Sequence, residues 1–244
     1  LIHQYPPHFV GGTELYTLTV ATAQAESGSD VAVFVPTPSE KESEAVLPQA
    51  AMEKGVRVYR VPVGDRSRTK IFLHTFRQPQ LQQSWRMVLE AEQPDLVHIE
   101  HLMGLPVSLV ADLREQGIPY VVTLHDYWYV CANAQLLTNT EQKVCSGPDA
   151  KALNCARCAL ARADYNSALN AAPLFAPIMN ARNSQTAAVL KDASRIIAPT
   201  RFVRDIYLSL VSDEIEIDVL SHGIALPKEF VEMAQSDRRK QRQD

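Results

Sequence analysis

Two short polar motifs follow predicted strands and could do chemistry. His125 and Asp126 come directly after the apolar run 120–124. A histidine at the carboxyl end of a parallel strand faces the crevice where doubly wound sheets bind ligands. Its imidazole can hydrogen-bond a substrate hydroxyl, and the carboxylate of Asp126 can orient the ring or raise its basicity. The alternative is a structural histidine that bonds to the backbone.

The second motif, His98-Ile99-Glu100-His101, ends the preceding apolar run. Strand alternation puts His98 and Glu100 on one face, so the same crevice would hold several ionisable groups. Histidine and carboxylate side chains can ligate a metal. The sequence favours a simpler interpretation, in which these groups line a polar cleft.

A pair of glycines, Gly11 and Gly12, stands between an N-terminal strand tail and a predicted helix that runs to about Gly28. Adjacent glycines let a ligand approach the backbone, and the free N–H groups of a helix start favour an anion such as phosphate. The pair matches neither the dinucleotide pattern G-x-G-x-x-G nor the P-loop pattern. A tight turn that packs the helix on the sheet is the alternative.

All four cysteines lie close together in the chain, in the pattern C-x13-C-x9-C-x2-C: Cys131, Cys145, Cys155 and Cys158. Thiols stay reduced in the cytosol, and four neighbouring thiols predict a tetrahedral thiolate site, most simply a structural zinc site. Two disulfides and four free thiols are the alternatives.

A basic patch surrounds the apolar triplet Ile71-Phe72-Leu73. Its cations are Arg66, Arg68, Lys70 and Arg77. Such a patch can touch anionic lipid or a phosphorylated acceptor, which makes peripheral membrane contact a hypothesis for this chain. The expected state of the patch is a solvated loop.

Strands and helices must bring these residues together, and the apolar pattern predicts both. Short β-branched runs alternate with stretches of helical period, as βα units require. The predicted strands are 31–35, 56–61, 96–99, 120–124 and 196–198, with 215–219 as an edge strand. Three helical stripes are predicted: Leu81, Trp85, Val88 and Leu89; Leu109, Val110 and Leu113; and Phe202, Val203, Ile206, Tyr207 and Leu210. Thr200 is a predicted cap of the last helix.

The fold class that follows is α/β, with a doubly wound, mostly parallel sheet. Residues 36–55 are predicted to be a polar connection. Residues 127–194, which hold the cysteines, are predicted to be a mainly helical insertion.

The composition excludes several classes of protein. With 244 residues, 46% hydrophobic and 21% charged, the chain is typical of a globular protein with a buried core. A net charge of -4 offers no field for a polyanion, so a nucleic acid is not an expected partner. No long apolar run and no signal-peptide pattern is visible. The cytoplasm, or the inner face of its membrane, is the expected compartment.

Four segments together resemble the N-terminal domain of group 1 (family 4) retaining glycosyltransferases of the GT-B type. They are the Gly-Gly loop, Asp95–His98, Val121–Trp128 and Ile196–Phe202. The segment Val219–Ile224 resembles the junction with the partner domain. The resemblance implies a Rossmann-like acceptor-side domain over 1–224 and a linker over 225–244. That linker would lead to a donor-binding domain with a Glu-x7-Glu motif, and this chain alone is expected to be inactive.

The resemblance also implies a reaction, in which a sugar moves with retention from a nucleotide-sugar donor to a carbohydrate, lipid-linked or small-molecule acceptor. His125 would be catalytic and contact the transferred sugar, while Gly11 and Gly12 would face the donor diphosphate or the acceptor. The other implied substrate-binding or supporting residues are Glu14, His98, Asp126 and Thr200. No cofactor is expected to take part in catalysis.

Two other functions fit parts of the sequence. His98-x-Glu100 followed by Cys155-x-x-Cys158 is similar to the zinc deaminase signature. Asn154 replaces the proline of that signature, and the predicted strand position of His98 also opposes it. A non-catalytic flavodoxin-like binding module with a zinc knuckle is the third possibility.

Overall fold

The computed structural model describes residues 1–39, 48, 50–64 and 67–223. Arg66 of the basic patch and the predicted linker 225–244 lie outside the described residues. In chain order the elements are α1 (Gly12–Glu26), β1 (Ala32–Pro38), β2 (Ala50–Glu53), β3 (Val56–Val63), α2 (Arg68–His74), α3 (Pro79–Glu92), β4 (Val97–Ile99), α4 (Ser108–Glu115), β5 (Tyr120–Thr123), α5 (Leu153–Arg162), a 3-10 helix (Asn166–Ala171), α6 (Ala172–Lys191), β6 (Arg195–Ala198), α7 (Arg201–Leu210) and β7 (Ile217–Val219).

The strands form two sheets. One is fully parallel with the order β4-β5-β6-β7, and the other has the order β1-β3-β2 with β2 antiparallel. The first two residues join the sheets, because the Ile2 amide donates to the Phe34 carbonyl at 3.2 Å and the Glu100 amide donates to the Leu1 carbonyl at 2.9 Å. The predicted α/β fold with a mostly parallel sheet is confirmed, and β7 is an edge strand as predicted.

The predicted helical stripes of α3 and α4 form much of the main core. Every member of these two stripes is buried. The Trp85 indole N–H donates to the Leu109 carbonyl at 3.0 Å, which ties α3 to α4. A glycine with positive φ, Gly117, follows α4, where a left-handed residue ends a helix without steric cost.

The last predicted stripe is only partly correct. Tyr207 is fully buried, but Phe202 is 69% exposed in the first turn of α7. The cap prediction for α7 is confirmed, because the Thr200 hydroxyl accepts a hydrogen bond from the Val203 amide at 3.2 Å.

Of the predicted connection 36–55, residues 40–47 and 49 lie outside the described residues, and the described parts are largely strand. Strand β1 continues to Pro38, and β2 pairs with β3 through a two-residue turn at Lys54 and Gly55, both with positive φ. Such turns match the twist of a hairpin. The strand β2 is largely exposed and has no alternating pattern, so its sequence carried no strand signal.

The insertion between β5 and β6 is mainly helical, as predicted. Its α5, 3-10 helix and α6 pack around a small core of their own, composed of Ala152, Ala156, Leu160, Ala172, Ala176 and Met179. None of the described helices is long and apolar enough to cross a membrane.

Candidate functional site

The candidate site lies where the adjacent parallel strands β4 and β5 end. Two histidine–carboxylate pairs cross between these strand ends. His125 Nε2 lies 2.8 Å from Glu100 Oε2, and His101 Nε2 lies 3.0 Å from Asp126 Oδ2. We call His98, Glu100, His101, His125 and Asp126 the polar rim.

The pairing corrects one sequence prediction. Asp126 does not orient His125, because His125 bonds to Glu100 and Asp126 bonds to His101. Consecutive residues at a strand end point in opposite directions, so His125 and Asp126 each reach a different residue of the neighbouring segment.

Glu100 is the most enclosed acid of the polar rim. It is 3% exposed, and its second oxygen lies 3.6 Å from His98 Nδ1. Burial alone would raise the pKa of Glu100, but the hydrogen bond with His125 and the field of His98 outweigh burial and lower it. His98 and Glu100 therefore do share one face.

His98 is held from its other side as well. Its Nε2 lies 2.7 Å from the Thr123 hydroxyl. Burial lowers the pKa of His98, although Glu100 opposes that shift. The position of His98 on β4 agrees with the predicted strand.

Asp126 fixes the turn that follows β5. Its Oδ1 accepts from the Trp128 amide at 2.8 Å, and its backbone carbonyl accepts from the Tyr207 hydroxyl at 2.7 Å. The Met103 amide donates to His101 Nδ1 at 3.0 Å, so His101 Nε2 carries the proton that Asp126 accepts. Burial would raise the pKa of Asp126, but the bonds from His101 and Trp128 lower it below its ordinary value.

The His125 ring lies among other rings rather than in the aliphatic core. Its side chain is 4% exposed. Tyr16 meets it edge-on with ring centroids 5.2 Å apart, and His222 lies 4.8 Å away. Tyr16 stands one turn after Gly12 on α1, so the glycine turn and His125 are neighbours in space.

Sequence reasoning missed Tyr16 and treated His222 only as part of a domain junction. His222 packs on Tyr16 with centroids 4.1 Å apart. Burial and the nearby His125 lower the pKa of His222. The spacing of Tyr16 from Gly12 by one helical turn was the available signal for Tyr16.

The two glycines at the start of α1 have different surroundings. A Cβ on Gly11 would lie 2.5 Å from Glu14 Oε2, whereas a Cβ on Gly12 would meet nothing within 4 Å. Glu14 is buried and lies 3.8 Å from His3 Nε2. Gly11 therefore makes room for the Glu14 carboxylate, and the open space lies beside Gly12.

Thr200 lies at the start of α7, where it is exposed and caps the helix. Its hydroxyl is already engaged by the Val203 amide. The structure thus gives Thr200 a local role in the helix, distinct from the polar rim.

The four cysteines line one cavity of about 320 Å³ between α2, α5, α6 and the loop after β5, which we call the insertion cavity. All four are free thiols, so the alternative of two disulfides is not formed. Within the described residues, no group of three or more His, Cys, Asp or Glu side chains could hold a metal ion. The predicted zinc site is therefore not supported, because closeness in sequence does not bring the sulfurs to one point.

The same finding removes the set of ligands that a zinc deaminase would need. His98 belongs to the polar rim and bonds to Thr123, while Cys155 and Cys158 line the insertion cavity. Burial raises the pKa of Cys155 to about 12 and also raises that of Cys158.

Part of the basic patch is helical rather than a loop. Residues 68–74 form α2, whose first turn is capped by the Ser67 hydroxyl. Arg68 donates to the Arg162 carbonyl at 2.9 Å, and Phe72 packs against the core of the insertion. The patch is thereby attached to the insertion cavity.

Comparisons with known proteins agree with the fold. A family model described as a glycosyl transferase 4-like domain matches residues 11–223. Among solved structures, a sucrose-phosphate synthase from Thermosynechococcus elongatus has the same fold with a TM-score of 0.56 and 14% identity. The match covers 87% of this chain and 43% of that one, so the chain spans less than half the length of that structure. No curated protein matches the sequence.

Proposed function

The chain belongs to the glycosyl transferase 4-like domain family, and we propose that it is the acceptor-side half of a retaining glycosyltransferase. This half would work with a donor-binding domain to move a sugar from a nucleotide-sugar to an acceptor. The observation that carries the proposal is the position of His125. It lies at the carboxyl end of β5, and its ring contacts Tyr16 of the helix that starts at Gly12.

In this proposal His125 contacts the sugar that is transferred. Its Nε2 bonds to Glu100, which fixes the ring and leaves Nδ1 as its other polar atom. A group held in this way needs no rearrangement when charge develops on the sugar and the leaving diphosphate. Catalysis requires such an interaction to be stronger in the transition state than in the ground state.

The start of α1 is the proposed contact for phosphate. Gly12 has open space where a side chain would stand, and the first N–H groups of a helix have no partner within the helix. A diphosphate or an anionic part of the acceptor would be stabilised there by the helix dipole. The remaining residues act indirectly: Glu14 and Asp126 hold the turns, His98 walls the cleft, and Thr200 caps α7.

The experiment compares this chain with the same chain joined to its donor-binding domain. We expect the joined protein to release nucleoside diphosphate from one member of a panel of nucleotide-sugars, and NMR of the product to show retention at the anomeric carbon. We expect the chain alone to release none. Turnover by the chain alone, or an inverted product, would contradict the proposal.

A further inference from the structure

The insertion cavity is lined by residues that have no part in the proposed transfer site. Its volume of about 320 Å³ is at the lower end for small-molecule sites. Apolar side chains of α2 and α6 form much of its wall, among them Phe72, Phe175 and Ile178. Three arginines line it and, among the described residues, no aspartate or glutamate does: Arg68, Arg162 and Arg182.

The mouth of the cavity is apolar as well. Five large hydrophobic side chains that line it are also exposed on the surface: Leu73, Leu137, Tyr165, Phe175 and Ile178. Single exposed apolar residues are common on proteins, but a group around one opening marks a binding surface.

Arg182 supplies an unbalanced charge at the inner end. It is 1% exposed, and in the described part of the chain it makes no ion pair with a carboxylate. It donates to the Trp128 carbonyl at 2.5 Å and to Asn183 Oδ1 at 3.2 Å, and its guanidinium lies 4.8 Å from the centre of the Trp128 ring. A buried charge without an opposite charge is costly, so this arginine calls for an anion.

Neighbouring groups balance that charge only in part. The carboxylate of Asp126 attracts Arg182 from a distance, but its hydrogen bonds go to His101 and Trp128 and none joins it to Arg182. Cys155 and Cys158 have raised thiol pKa values, so they are uncharged near neutral pH.

We propose that the insertion cavity binds an anionic amphiphile, with its phosphate or carboxylate beside Arg182 and its apolar chain running past Phe175 and Ile178 to the mouth. Trp128 connects this cavity to the polar rim, because its amide donates to Asp126 and its carbonyl accepts from Arg182. A head group beside Trp128 would lie next to the transfer site. Binding of the amphiphile does not depend on the proposed transferase function.

The test is calorimetric titration of this chain with geranyl phosphate. Geraniol and inorganic phosphate serve as comparisons, since each has half of the required chemistry. We expect one saturable site per chain and binding at least tenfold tighter than for either comparison. A chain that binds geranyl phosphate no tighter than phosphate, or that responds only to anionic vesicles, would overturn the proposal.

Two variants locate the site. Ile178→Trp fills the cavity from a half-exposed position, and we expect it to weaken geranyl phosphate at least tenfold. Leu174→Trp is the matched control, because Leu174 lies one turn earlier on α6, is 77% exposed and does not line the cavity. Equal binding by both tryptophan variants would place the ligand elsewhere.

Arg182→Met tests the charge. We expect this variant to lose the preference for geranyl phosphate over geraniol, while Arg182→Lys keeps part of it. Thermal unfolding shows whether each variant folds. If Arg182→Met does not fold, the comparison of Ile178→Trp with Leu174→Trp decides whether the ligand binds in the cavity. About one zinc per purified chain would also overturn the proposal, because thiolates would then balance Arg182.

Discussion

The polar rim and the insertion cavity both gather ionisable side chains, but they balance charge in opposite ways. In the polar rim each carboxylate accepts a hydrogen bond from an imidazole, and both come from strand ends that the sheet fixes. In the insertion cavity three arginines lie among apolar side chains: the exposed Arg68 pairs with Asp164, but the buried Arg182 has no ion pair in the described part of the chain. A site whose charges are paired within the protein can stay rigid without its substrate. A buried charge without a partner instead indicates the sign of the charge that its ligand carries.

Breaking the balance of the polar rim should have the largest effect. Glu100→Gln replaces the buried carboxylate beside two imidazoles with a neutral amide, and the loss of a hydrogen bond to a charged group costs about 1.5–3 kcal/mol. We expect urea denaturation to show a loss of that size. Glu216→Gln is the control, since Glu216 pairs with Arg195 at the surface and should change stability by under about 0.5 kcal/mol. Equal stability of the two variants would show that Glu100 is not part of a coupled pair.

The stability of the polar rim is expected to depend on pH. Burial lowers the pKa of His98 and His222 below 6.5. The unfolded chain therefore takes up protons first, and the free energy of unfolding falls as the pH drops below 6.5, by at most about 1.4 kcal/mol per pH unit for each histidine. Glu100 and Asp126, whose pKa values are also lowered, add a further loss in more acidic solution.

His98→Gln measures how much one histidine contributes to the pH dependence of the unfolding free energy. We expect a smaller slope of unfolding free energy against pH between about 6.5 and 5, with the slope at higher pH unchanged. Denaturant titrations across this range supply the measurement. An unchanged acidic slope would mean that His98 is not buried in its neutral form.

Substitutions at Gly11 and Gly12 are expected to have opposite effects on stability. Gly11→Ala must displace the Glu14 carboxylate and should cost about 1–3 kcal/mol, as overpacking does. Gly12→Ala meets open space and should keep or slightly raise stability, because alanine favours helix. If phosphate binds beside Gly12, the second variant still raises KM in the joined enzyme. A destabilised Gly12→Ala, or an unaffected Gly11→Ala, would reverse this assignment.

Thr200→Ala should have the smallest effect. It removes the hydroxyl that caps α7 and should lower the free energy of unfolding by about 1 kcal/mol. Thr200→Ser keeps an oxygen in the same place and should restore most of that loss. Equal losses in both variants would indicate that the methyl group rather than the cap stabilises the helix end.

Much of the architecture could be predicted because it depends on local pattern. The β-branched runs gave the parallel strands, alternation gave the edge position of β7, and a threonine before an apolar stripe gave the cap of α7. The strand β2 was not predicted, because an exposed strand has no buried face and therefore no alternating apolar pattern.

The contacts between distant segments could not be predicted. Neighbouring residues suggested that Asp126 serves His125, yet the ends of β4 and β5 bring Glu100 to His125 instead. Cysteine spacing suggested a metal, but spacing along the chain does not fix where the sulfurs point. The insertion cavity depends on how Phe72 of α2 packs against the core of the insertion, which no single motif records.

The central claim is that His125 acts on the sugar during transfer, and its most direct test is the kcat of the joined enzyme with His125→Gln. Glutamine can still donate to Glu100, so the rim keeps its hydrogen bond, and His74→Gln on α2 is the matched control outside the site. We expect kcat to fall about 10²–10³-fold in His125→Gln, with KM and the unfolding midpoint little changed. Turnover near that of the control would contradict the claim and remove His125 from the mechanism.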